Sequence, residues 1–151
     1  MGFMIRMLFG NDDTTAQAWA AAKGKQIAAL AIVEADYKQG QDYDCLRFGF
    51  ADGSALLLFD DGQSCCESRY MHTDDPLEAF VGATLENIEG KCTQAGGEGW
   101  IDDHYVGCHE IMFIHITTSI GVFVLETHNE HNGYYGGFVV RLQYQEAPNK
   151  E

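Results

Sequence analysis

Cys45-Leu46-Arg47-Phe48-Gly49-Phe50-Ala51-Asp52-Gly53-Ser54-Ala55-Leu56-Leu57-Leu58-Phe59 decides the fold. Leu46, Phe48 and Phe50 alternate with Arg47 and Gly49, the period of two that belongs to a strand with one buried face. Asp52-Gly53 is a hairpin turn pair, and Ala55 to Phe59 returns as the partner strand. The same logic extends in both directions. Gln26 to Ala35 is apolar enough for a buried strand, and Cys65 to His72 supplies a fourth. A second series follows at Ala83 to Lys91, Glu110 to Thr117, Gly121 to Thr127 and Tyr135 to Tyr144. Cys92 to Gly107 is glycine-rich and reads as a long loop. His128 to Gly133 is polar, ends in Asn-Gly and reads as a hairpin loop between the last two strands.

The two series resemble each other. Phe48-Gly49-Phe50 leads through Gly53 to Leu56-Leu57-Leu58-Phe59 and then to Cys65-Cys66-Glu67. Phe113-Ile114-His115 leads through Gly121 to Val122-Phe123-Val124-Leu125 and then to Tyr134-Tyr135-Gly136. The separations are 65, 68 and 69 positions (113 − 48, 121 − 53, 134 − 65), so a few inserted residues reconcile them. Either the halves are duplicated or two β-meanders share a composition; in both cases Cys65-Cys66 and Tyr134-Tyr135 fall at corresponding positions. If the halves pair, these segments approach each other.

Helix is expected once, near the N-terminus. Asn11-Asp12-Asp13-Thr14 offers N-caps, Ala16 to Lys23 is alanine-rich, and Gly24 stops the run. Trp19 would anchor this helix to the body. A short helical turn is expected at Asp75 to Phe80, with Pro76 suited to the first helical position. The expected architecture is mainly β: about eight antiparallel strands in two similar halves, a sandwich or partly closed barrel, with one N-terminal helix. Residues 1–151 form one domain on this reading, with a helical segment at about 11–24 and β halves at about 25–72 and 83–145.

With 151 residues and 46% hydrophobic content, the chain can bury a full core. Nine basic residues against 23 acidic give a formal charge of −14. Such a surface repels phosphate backbones and anionic lipid, so neither direct nucleic-acid binding nor membrane docking is expected. The acidity serves solubility through self-repulsion, or it docks on a basic partner. Five cysteines, an odd number with two adjacent, do not form a secreted disulfide framework. With no signal peptide visible in Met1 to Phe9, a cytoplasmic chain with reduced thiols is expected (host cytoplasm, for a phage-encoded chain).

Cys65-Cys66 is the first chemical candidate. Adjacent strand residues point to opposite faces, so one metal ion rarely takes both thiolates. His72, His104, His109, His115, His128 and His131 stand at no recognised ligand spacing from a cysteine; His104-x3-Cys108-His109 comes nearest. Neither a metal nor a cofactor is expected. Asp60, Asp61 and Glu67 would raise a nearby thiol pKa, which opposes nucleophilic use. No phosphate-binding glycine loop, serine elbow or His-Glu-x-x-His occurs. Glu67 and Glu130 are the paired carboxylates that general acid–base chemistry would use, in a chain where carboxylates are common. Tyr134-Tyr135 offers one ring to the core and one to solvent or a partner, and exposed tyrosine is a favoured contact residue.

Asp60-Asp61-Gly62-Gln63-Ser64-Cys65-Cys66-Glu67-Ser68 and Glu130-His131-Asn132-Gly133-Tyr134-Tyr135 together resemble an uncharacterised domain family of bacteriophages and bacteria. That family is marked by a Cys-Cys-Glu segment after a hairpin and a Glu-x-Asn-Gly-Tyr-Tyr segment near the C-terminus. Leu77 to Glu89 looks like its link between halves, and the resemblance covers roughly Lys25 to Leu142. It departs in the N-terminal helical segment and at Gly136, where a serine is expected. The resemblance implies a phage or prophage setting and a small accessory protein that blunts host defence; it brings no activity with it.

The function expected is therefore non-enzymatic binding of a basic host protein or a small ligand, through Cys65, Cys66, Glu67, Glu130, Asn132, Tyr134 and Tyr135. One alternative is a metal- or thiol-dependent enzyme using Cys65 or Cys66 with nearby histidines. Another is a virion or assembly component.

Overall fold

The computed structural model describes residues 13–38, 41–61, 68–91, 98–101, 104–131 and 138–148. In chain order these form α1 (Asp13–Ala22), β1 (Ile27–Lys38), β2 (Gln41–Phe50), β3 (Ala55–Asp60) and β4 (Ser68–His72). A 3-10 turn (Leu77–Phe80) precedes β5 (Leu85–Lys91), β6 (Glu98–Ile101), β7 (His104–Thr118), β8 (Gly121–His131) and β9 (Val140–Gln145). All strand pairs are antiparallel. One sheet runs β1-β2-β3-β9, the other β4-β8-β7-β5 with β6 on β7. Neither closes into a barrel.

The hairpin at the centre of the sequence forms as its alternation requires. Leu46 pairs with Leu58 and Phe48 with Leu56, and all four side chains are fully buried. Gly53 takes φ +91°, which only glycine adopts without strain. The Asp52 carboxylate accepts the Ser54 N–H at 2.8 Å to hold the turn. Across from these residues lie Ile88, Ile114, Ile116, Phe123 and Leu125 of the second sheet, equally inaccessible and part of one continuous core. Each such aliphatic or aromatic side chain contributes about 1.5–3 kcal/mol by leaving water.

The two halves are related by an approximate twofold. Under β1→β5, β2→β7, β3→β8 and β4→β9, the order β1-β2-β3-β9 becomes β5-β7-β8-β4, the order of the second sheet. Each half is a three-stranded meander that sends its fourth strand into the other sheet. The hydrogen bonds repeat in detail where the halves meet, around the bridge Gln26–Thr84. Ile27 N–H donates to Ala83 O at 2.8 Å and Leu85 N–H to Lys25 O at 2.9 Å. Gly24 N–H donates to Leu85 O at 2.8 Å and Gly82 N–H to Ile27 O at 2.7 Å. A shift of 58 positions (82 − 24, 83 − 25, 85 − 27) exchanges the members of each pair. The equivalence reaches the helices: Lys25 N–H caps Ala22 O, and Ala83 N–H caps Phe80 O. Helix α1 and the 3-10 turn are thus corresponding elements.

Edge strand β9 would expose a row of unpaired backbone groups, a template for foreign strands. Helix α1 protects it: Thr15 Oγ1 accepts the Leu142 N–H at 3.2 Å, while Ala18, Trp19 and Ala22 enter the core. Val124, beyond the end of β4, is satisfied by side chains instead, with its N–H donated to Asp75 at 2.8 Å and its carbonyl accepting Thr73 Oγ1 at 2.7 Å.

Two sequence expectations are corrected. The loop expected from Cys92 to Gly107 contains β6 and the first residues of β7, with Gly99 in β6 and Gly107 in β7. His128 to His131 belongs to β8, and β8 and β9 lie in different sheets, so their connection is a crossover and not a hairpin. These residues look loop-like because the interior itself turns polar at this end of the strand.

Candidate functional site at the sheet crossover

At most positions the inward side chains are Leu, Ile or Phe. At one end of the sandwich the pattern continues in phase with polar groups: Asp44 before Leu46 and Phe48, Asp60 after Leu56 and Leu58, Thr127 and Asn129 after Phe123 and Leu125. Asp60, Thr127 and Asn129 are buried. Burying polar groups is costly unless they are bonded, and here the carboxylates Asp44 and Asp60 tie the two sheets together. Arg69 Nη1 of β4 donates to Asp60 Oδ2 of β3 at 2.6 Å, with 11% and 4% of those side chains exposed. Asp60 Oδ1 accepts the Val139 N–H at 2.9 Å. Asp44 of β2 accepts the Met71 N–H of β4 at 2.9 Å. Arg141 Nε of β9 donates to Asp61 at 2.9 Å.

Asp44, Asp60, Arg69, Tyr70, Met71 and Thr127 line a small open cleft. Thr127 Oγ1 is buried there with no hydrogen-bond partner among the described residues. This cleft suits a water molecule or the tip of an incoming side chain.

On the outer face of the second sheet, Tyr70 OH donates to Glu130 Oε2 at 2.6 Å. That bond, with partial burial, pushes the Tyr70 phenol up to about 12, so it remains a donor. The Tyr70 ring stacks on His128, centroids 4.6 Å apart and planes 7° from parallel.

Of the residues singled out from sequence, Glu130 is exposed on β8 and carries the Tyr70 bond. Cys65, Cys66, Glu67, Asn132, Tyr134 and Tyr135 lie outside the described residues. The described ends that flank them are, however, bonded to one another. Asp61, before the first motif, donates its N–H to Val139 O at 2.7 Å, and Val139 follows the second motif. Ser68, after the first motif, is the cross-strand partner of Glu130, which opens the second. The chain connecting β3 to β4 and the chain connecting β8 to β9 therefore join the same two places, one in each sheet.

The polar cluster beneath was missed by sequence reasoning. Its signal was present: charged or polar residues at core-phase positions of otherwise apolar strands, Asp44, Asp60, Arg69 and Thr127. Cys45 is a free, buried thiol, and burial pushes its pKa up to about 11, the inert state. Among the described residues no cluster of three or more His, Cys, Asp or Glu side chains is arranged to hold a metal ion. No helix among them is long and apolar enough to cross a membrane.

A family model described as a domain of unknown function (DUF7448) matches residues 20–140, from the end of α1 to the start of β9. No curated protein and no solved structure matches the chain.

Proposed function

The chain belongs to this family of unknown function, and on that premise we propose that it is a binding module for a basic partner protein. Its contact surface is the crossover end of the sandwich, with Cys65, Cys66, Glu67, Glu130, Asn132, Tyr134 and Tyr135 as the proposed contact residues; the described residues that flank the two motifs meet at this end. The observation that carries this reading is the double anchoring of the flanking residues, Asp61 to Val139 in one sheet and Ser68 to Glu130 in the other. The residues that flank the two segments therefore meet at one end of the sandwich. Beneath it, the bonded cluster around Asp60 and Arg69 supplies a rigid polar floor. The formal charge of −14 favours a partner rich in Lys and Arg, through steering and charge complementarity. The family resemblance adds a setting: an accessory factor of phage or prophage that acts on a host protein, which gene neighbourhood tests.

The direct test is capture of the partner with the whole chain, followed by titration of Tyr134→Ala and Tyr135→Ala. One substitution should weaken binding by about 2 kcal/mol or more, the range of interface hot spots, with little loss of stability. The other should cost several kcal/mol of stability, about 3–5 if that ring is a core aromatic. If both variants simply unfold, the tyrosine pair is core packing and this surface is not the binding site.

A further inference from the structure

His128 is 8% exposed, although it stands on the outer face of the second sheet. Three neighbours enclose it. Its Nε2 lies 2.9 Å from Glu126 Oε1, its Nδ1 lies 2.9 Å from His109 Nε2, and Tyr70 covers the ring. With both imidazoles neutral, this chain of contacts assigns every proton. A carboxylate only accepts, so His128 Nε2 carries the proton and its Nδ1 is a lone pair. That lone pair only accepts, so the His109 Nε2 carries a proton as well. His109 Nδ1 is then fixed as an acceptor, on a ring that is only half-buried.

The cross-strand partner of His109 is Glu130, exposed and steadied by the Tyr70 hydroxyl. We propose that His109 Nδ1 and the Glu130 carboxylate are a paired acceptor site for a guanidinium group of the partner. This rests on the basic-partner reading above and names the side chain it recognises. A guanidinium is donor-only and presents its N–H groups in a fixed planar fork, which asks for adjacent acceptors and no donors. The opposite tautomer of His109 would turn a donor toward that fork. Glu126 and His128 are therefore positioning residues, acting through His109. The surrounding groups agree in sign. Asp74 follows β4, and Glu126 lies on β8 bonded to His128. Arg69, the cation of β4, is engaged with Asp60.

The test uses the full chain and N-acetylarginine amide as the probe, read by nitrogen-15 NMR of the imidazoles at neutral pH. Free protein should show His109 protonated at Nε2 and bare at Nδ1, and the probe should shift His109 and His128 resonances on titration. Glu130→Gln should weaken the probe about tenfold without changing the tautomer. Glu126→Gln should weaken it and also mix the tautomers, which a merely structural role would not do. A His109 protonated at Nδ1, or a probe that leaves its resonances unmoved, would overturn the proposal. These readouts need no partner: failure here with tyrosine-dependent partner binding intact removes the guanidinium site alone. A shift of His109 with tyrosine-independent partner binding removes the crossover reading alone.

Discussion

His72 shows how far a single exposed pair reaches. Its Nε2 sits 2.8 Å from Asp74 Oδ1, and that bond raises the histidine pKa above its usual 6.5. The pair's stabilising contribution is complete below the unfolded-state pKa and is lost as pH rises through the folded one. Both side chains are well exposed, 54% and 83%, so the effect is screened and small. An NMR titration should place the His72 midpoint above the free-histidine value, and Asp74→Asn should lower it. A midpoint unchanged by that substitution would show that the pair does not form in solution.

Elements are set by backbone chemistry at the corresponding positions Gly24 and Gly82, which end α1 and the 3-10 turn. Their φ angles are +86° and +98°, and an added Cβ would meet nothing within 4 Å at either place. The cost of alanine there is purely conformational, about 1–2 kcal/mol per position. Gly24→Ala and Gly82→Ala should therefore lower stability by similar amounts in denaturant titrations, with unchanged m-values. Unequal losses would argue that the approximate twofold does not extend to the energetics of the two junctions. Elements were also where sequence reasoning did best. The β2–β3 hairpin, α1 and its Trp19 anchor follow from alternation, an Asp-Gly turn and a capped alanine run, all of them local. Local pattern misleads at His128 to His131, where polar residues suggest a loop although they continue β8.

At the scale of the whole molecule, the Asp60–Arg69 pair ties the first sheet to the second inside the interior. Removing one partner leaves the other charged and buried. Asp60→Ala should cost about 3–5 kcal/mol. A double replacement by apolar residues of similar size, Asp60→Leu with Arg69→Met, should recover most of that loss, since buried pairs roughly balance their own desolvation. Recovery of stability without recovery of partner binding would mean the pair serves the surface above it. If the double variant binds the partner as well as the wild type, the polar floor has no part in recognition.

Composition and period two were enough to determine a β-rich chain with two similar halves, because alternation is written residue by residue. The offsets of 65 to 69 positions between the halves already contained the approximate twofold. Which strands pair across the halves was decided only in three dimensions. Sequence places β4 with the first half and β9 with the second, yet each crosses to the other sheet, so each sheet is completed by a strand of the other half. The polar end of that core follows from the exchange. Asp60 and Arg69 are nine positions apart along the chain and become a buried ion pair only where the strands change sheets.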